Sequence, residues 1–183
     1  MRTLFVMLSL AAVVAFSIPA FAAPTSGDLQ SFLNQANQIN HEEQSMADLL
    51  KGKAGDNQAL VSMANTIRDD HKNNESALQS LANQKNITLG SYNQNKAAED
   101  RLENLQGAQF NDAFLNMNIR DHEKALKLFK EAKSTYSGDR DVQVYLDETI
   151  PVLEAHLKMA ENLQRDDRKF GSPENPSNNQ NNS

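Results

Sequence analysis

Ile119-Arg120-Asp121-His122-Glu123-Lys124-Ala125-Leu126-Lys127-Leu128-Phe129 decides how this chain folds. Its apolar residues recur at helical spacing, so one face of a helix seeks a core. His122 stands in that stripe where a Leu or Ile is expected. The stripe extends back through Leu115 and Ile119, with Phe114 and Met117 widening it, to a start near Ala108. Ser134 to Asp139, which contains Gly138, has the length of a turn joining antiparallel neighbours.

Three other segments follow the same rule. A last helix carries Val142, Tyr145/Leu146, Thr149, Val152/Leu153, His156, Ala160 and Leu163. Pro151 inside it is expected to kink the helix or delay its regular part. A first helix carries Leu29, Phe32/Leu33, Ala36, Ile39, Met46/Ala47 and Leu50, with Glu43 filling the gap in the stripe and His41 lying off it. Asp56-Asn57-Gln58 caps a second, whose stripe is Leu60, Met63/Ala64, Ile67, His71, Asn74, Leu78 and Leu81/Ala82. Residues 87–106 read as a connection with one or two helical turns, Ala97 to Leu105 being the helical part. No run alternates at period two. The expectation is an all-α, four-helix bundle, up-down-up-down, with a longer, partly helical crossing between the second and third helices.

The ends of the chain differ from this core. Arg2, an apolar run from Leu4 to Phe16 broken only by Ser9, and Ala20-Phe21-Ala22 have the three parts of a secretory signal peptide. That run is shorter than the roughly 20 residues a membrane span needs. Residues 1–22 are therefore expected to be removed, 23–165 to form the bundle domain and 166–183 to be a disordered polar tail rich in Pro, Ser, Asn and Gln. The mature chain is expected to be secreted, without stable membrane insertion after cleavage.

The chain has no cysteine, so neither a disulfide nor a lipid anchor on cysteine holds it. Without residues 1–22 it carries 17 basic against 24 acidic side chains, a net charge of −7. An acidic chain with no basic cluster does not fit a nucleic-acid or anionic-lipid partner. There is no glycine-rich phosphate loop, no Gly-x-Ser-x-Gly and no cysteine nucleophile.

What remains is the set of ionisable residues on the core stripes: Glu43, His71, His122 and His156. Counted in residues along the helices at about 1.5 Å each, they fall within about 10 Å of one another along the bundle axis. Polar groups facing one core layer must pair or hold something. Three arrangements fit: a buried His–Glu–Asp network without a ligand, a metal site of three imidazoles and a carboxylate, or boundary positions half exposed to water. The ligand types suit Zn, Cu, Fe or Ni. In the metal reading Asp70, Asp121 and Glu154 would orient the rings from outside. Ferritin-type di-iron chemistry is not expected, because the Glu of Glu-x-x-His is replaced by Arg68, Ile119 and Leu153.

Met63-Ala64 through Asp70-His71, then Leu105-x-Gly107-x-x-Phe110 leading to Asp121-His122, then Thr149-Ile150-Pro151-Val152-Leu153-x-x-His156-Leu157 resemble the bacterial exported-protein family catalogued as domain of unknown function 4142. The resemblance covers Leu29 to Gln164. It implies a ferritin-like helical bundle, exported to the periplasm or outer envelope, with no established activity. The family's usual Glu on the first helix matches Glu43 or its neighbour Glu42. Phe110-Asn111 departs from the family's frequent Phe-Asp, which weakens any role for an acid there. The sequence thus points first to a non-enzymatic interaction or envelope-stress protein whose polar layer is structural. A metal-binding protein using Glu43, His71, His122 and His156 is the second reading. An enzyme with a His–Asp general base is the third, and it requires a cleft.

Overall fold

In a computed structural model, residues 26–94 and 96–170 are described. The expected signal peptide and residues 171–183 of the expected tail lie outside them. The described residues form five helices and no strand: α1 Ser26–Lys53, α2 Gln58–Gln84, α3 Lys96–Glu103, α4 Gly107–Thr135 and α5 Arg140–Phe170. None of the helices among the described residues is long and apolar enough to cross a membrane.

Each long helix buries a seam whose residues alternate four and three apart. On α1 the seam is Leu29, Leu33, Ala36, Asn40, Glu43, Ala47 and Leu50. On α4 it is Leu115, Asn118, His122, Ala125, Phe129 and Ala132. This spacing keeps one face turned to its partners over many turns. Fully burying each Leu, Ile or Phe contributes about 1.5–3 kcal/mol, which outweighs weak helix propensity elsewhere. The core falls into two apolar clusters. One, around Leu33, Leu78, Phe129 and Leu146, is tied by an edge-to-face Phe32–Phe129 pair 5.3 Å apart. The other gathers Leu50, Leu60, Ile67, Phe110 and Phe114. The polar residues of the seams lie between them.

Helix ends are set by local chemistry. Gly55, at φ +55°, reverses the chain after α1 in a conformation that favours glycine. The Asn57 side chain then accepts from the backbone N–H groups of Ala59 and Leu60, both at 3.2 Å, and starts α2 as expected. Replacing Asn57 by Ala should cost about 1 kcal/mol. At about 2–4 °C per kcal/mol for a chain of this size, calorimetry should read a drop of a few degrees. An unchanged melting temperature would refute the capping role. Pro151 does not interrupt α5, which is helical throughout Arg140–Phe170. Pro151 and Asp147 both lie on the exposed face, so the carbonyl that loses its helical partner there faces water. The helix also continues past 165, where the polar tail was expected to begin, as far as Phe170.

The helix directions require a correction. α1 pairs with α2, and α4 with α5, as antiparallel hairpins. Lys85, just past α2, bonds Asp139 at 2.7 Å and Asp141 at 2.8 Å at the start of α5. α2 therefore ends where α5 begins, and α4 starts at the far end, beside the C-terminus of α1. The order is up-down-down-up, not up-down-up-down, and α2 and α4 run parallel. Residues 85–106 make this possible by travelling the length of α1. Gly90 N–H donates to Asn34 Oδ1 at 2.8 Å, Gln38 Nε2 to the Asn93 carbonyl at 2.7 Å, Ser45 bonds Glu99, and Lys53 Nζ donates to the Leu105 carbonyl at 3.0 Å. Amide side chains of α1 thus satisfy a strap that has little regular structure of its own.

Candidate functional site

Between the two apolar clusters, α2, α4 and α5 bring His71, His122 and His156 together, at 3%, 1% and 1% exposure. Their ring centroids are 5.3–6.0 Å apart. One ring nitrogen from each lies within 4.8 Å of the others. The boundary arrangement is therefore overturned, because the seam spacing points all three rings at the bundle axis.

The outer nitrogen of each ring is engaged. His71 Nδ1 lies 3.0 Å from Asn40 Oδ1. His122 Nδ1 lies 3.0 Å from the Asn118 carbonyl, one turn back on α4. His156 Nε2 lies 2.9 Å from Asp70 Oδ2. All three partners accept hydrogen bonds, so each outer nitrogen carries the proton. The inner nitrogens are then His71 Nε2, His122 Nε2 and His156 Nδ1. His122 Nε2 and His156 Nδ1 are 3.3 Å apart, and His71 Nε2 is buried without any partner. Burial above all, and the neighbouring imidazoles His156 and His122 next, push His71 well below its ordinary pKa, so its ring is neutral. Burial also lowers His156, against the opposing pull of Asp70.

The remaining predicted site residues divide. Asp70 orients His156, as expected. It sits next to His71 in sequence, but one residue of helical rotation turns it toward α5. Glu43 is buried on its seam, yet it is not among the convergent atoms. Its Oε1 is 3.8 Å from His122 Nδ1, on the outer side of that ring, and its Oε2 accepts from Asn118 Nδ2 at 3.2 Å. Burial raises its pKa, and His122 opposes the shift. Glu43 thus supports His122 rather than joining the inner set. Asp121 and Glu154 touch no ring. Asp121 is 3.0 Å from Lys124, and Glu154 is 2.7 Å from Lys130, because both lie on faces turned away from the seam. His41 stands apart and stacks on Tyr92 at 4.9 Å.

Asn40 and Asn118 were not anticipated. The signal was present, since continuing the four-three count from Ala36 and Leu115 lands on them. Asn40 also links His71 to a second network. Asn74 Oδ1 accepts from Asn40 Nδ2 at 2.9 Å and from the Tyr145 hydroxyl at 2.8 Å, while Asn74 Nδ2 donates to Thr149 Oγ1 at 2.7 Å. Burial raises the Tyr145 phenol far above its ordinary pKa, so it remains a donor. A cleft of about 290 Å³, lined by Asp70, His71 and Asn74 among others, opens between α2 and α5. His156 offers no free nitrogen to it, because one meets Asp70 and the other faces His122. The Asp70–His156 pair therefore has no free nitrogen to act as a base in the cleft, whereas His71, whose Nε2 has no partner, also lines it.

Fold and site together define an all-α helical-bundle protein with a buried three-histidine cluster at mid-length. The chain belongs to the family described as Domain of unknown function (DUF4142), whose model matches residues 16–163 and so takes in the whole cluster. No curated protein and no solved structure gives a significant match.

Proposed function

We infer that the protein is an exported, ferritin-like helical-bundle protein that holds one divalent transition-metal ion at His71, His122 and His156. One observation carries the metal reading: every outer ring nitrogen donates to an oxygen, which leaves three inner lone pairs facing one another. Metal-bound histidines have this arrangement, the second nitrogen being fixed by a carbonyl or carboxylate. Two nitrogens bound tetrahedrally at about 2.0–2.1 Å from one ion stand roughly 3.3 Å apart, which matches the His122–His156 separation. The ion supplies Lewis acidity or redox chemistry according to its identity, while the protein residues fix its position and the ring tautomers. Export is supported by the pattern of Arg2, Leu4 to Phe16 and Ala20 to Ala22. The ferritin-like reading is supported by two antiparallel hairpins joined by a strap along the bundle.

The 3.3 Å contact also favours a second reading, in which the layer is a ligand-free structural network. A proton shared between His122 Nε2 and His156 Nδ1 would join Asp70, His156 and His122 in one chain. One of the two rings is then a buried cation, and His71 Nε2 keeps no partner. Each unmet polar atom of this kind costs about 1–3 kcal/mol, which disfavours the network. Metal content after stripping with a chelator and dialysis against Zn, Cu, Ni or Fe separates the readings. One equivalent should be retained by the wild type and lost in His122→Ala. Equal absence of metal in both proteins leaves only the structural network.

A further inference from the structure

On the opposite side of the bundle from the α2–α5 cleft, α1 and α4 stand apart under the strap. A cavity of about 430 Å³ lies between them, within the range of small-molecule sites. Its walls combine Ile39, Met46 and Met117 with the carboxylates of Glu42, Glu43, Glu99 and Asp121. Among the described residues Lys124 is the only basic one lining it, and its exposed ammonium is already held by Asp121. Asn118 also lines the cavity at 2% exposure, and its Oδ1 has no hydrogen-bond partner. Tyr92, from the strap, adds an aromatic ring at one wall.

We propose that this cavity binds a small organic ammonium: a primary amine carried on an apolar body. An anion is repelled by the carboxylates of Glu42, Glu99 and Asp121 in a partly enclosed space, where field lines are concentrated, while Glu43, whose pKa burial raises, adds less. The carboxylates already accept from Gln38, Asn118, Ser45 and Lys124, but a purely apolar molecule leaves their net negative charge unbalanced and Asn118 Oδ1 without a donor. Water meets the polar groups but leaves the Ile39 and methionine walls wet. A primary ammonium brings three N–H donors and a positive charge, and its hydrocarbon covers the walls. No histidine lines the cavity, and it shares only Glu43 and Asn118, which stand behind the outer nitrogen of His122, with the metal reading.

Calorimetric titration with hexylammonium, hexanol and hexanoate tests the assignment, because the three share one body and differ in charge. Hexylammonium should bind at least about tenfold tighter than hexanol, a difference of about 1.4 kcal/mol. Hexanoate should not bind, and affinity for the amine should fall as salt is raised. The double variant Glu42→Gln, Asp121→Asn, at the solvated rim, should weaken the amine at least tenfold. Leu128→Trp, which fills the cavity from its wall, should remove binding at an unchanged melting temperature. His71→Ala should leave amine binding intact, which separates failure here from failure of the metal centre. Equal binding of hexanol and hexylammonium, or affinity untouched by both the rim and filling variants, overturns the proposal.

Discussion

One equivalent of Zn(II) should raise the melting temperature of the purified, metal-stripped protein by about 5–11 °C at free metal a hundredfold above Kd. The figure follows from linkage: an ion that binds only the folded chain adds about 2.7 kcal/mol at that concentration. A chain of this size gains about 2–4 °C per kcal/mol. The metal-free protein carries the cost of the site, which tightens Kd and so lowers the metal concentration at which this shift is reached. His71 Nε2 is buried without a partner, and two further ring nitrogens face each other at 3.3 Å. His71→Ala, His122→Ala and His156→Ala should each abolish the shift. Asp70→Asn should retain binding but weaken it roughly 10–100-fold, the usual effect of removing an orienting partner. The pattern across the variants is decisive. A thermal shift that survives all three histidine substitutions would place any bound ion elsewhere, on surface carboxylates.

The same cost bears on which residues occupy the middle of the bundle. Replacing all three histidines by Leu in the metal-free protein removes the orphaned nitrogens and joins the two apolar clusters. Buried polar groups exchanged for apolar ones of similar shape are often neutral or stabilising, provided both partners go. Asn40, Asn118 and Asp70 would lose their ring partners in that exchange, and this limits the gain. A chain selected for stability alone has little reason to keep three imidazoles on one level of its core.

The seams were legible in the sequence because burial and spacing are coupled. A helix that packs along its whole length must place apolar residues four and three apart, and His71, His122 and His156 declared themselves by interrupting that count. Glu43 was equally visible, but the count gives only the face and depth of a residue, not which edge of a neighbouring ring it meets. A carboxylate at the outer nitrogen of His122 and one among the inner nitrogens have the same signature in sequence. The helix directions were hidden for a different reason. They depend on whether residues 85–106 fold back or run the length of α1, and that is set by Asn34, Gln38 and Lys53 bonding to backbone groups far along the chain. Side chains of these types look like ordinary solvated polarity until their partners are known. Asp121 and Glu154 were placed by adjacency to a histidine or to its turn, but neighbours in a helix are rotated by about a third of a turn or more. Only Asp70 is turned by that rotation toward a ring.

Phe129→Ala should lower stability by about 3–5 kcal/mol, the usual cost of emptying a buried phenylalanine site. Against a total of about 5–15 kcal/mol for a domain, that is a large fraction, and chemical denaturation will read it directly. Phe129 is 2% exposed and joins three helices, meeting Phe32 of α1 edge-on at 5.3 Å and Tyr145 of α5 at 6.2 Å. It also lines the cleft beside His71. Loss of its ring enlarges that cleft rather than creating a sealed void, so water can enter and the penalty should lie toward the lower end of the range. Phe129→Leu, which keeps most of the volume, should cost well under half as much. The histidines, in contrast, are held by Asn40, the Asn118 carbonyl and Asp70, none of which depends on the Phe129 ring for its hydrogen bond. Phe129→Ala should therefore bind metal with the wild-type stoichiometry while melting lower. Loss of metal together with stability would mean that the apolar cluster, and not the hydrogen bonds behind the rings, fixes the geometry of the centre.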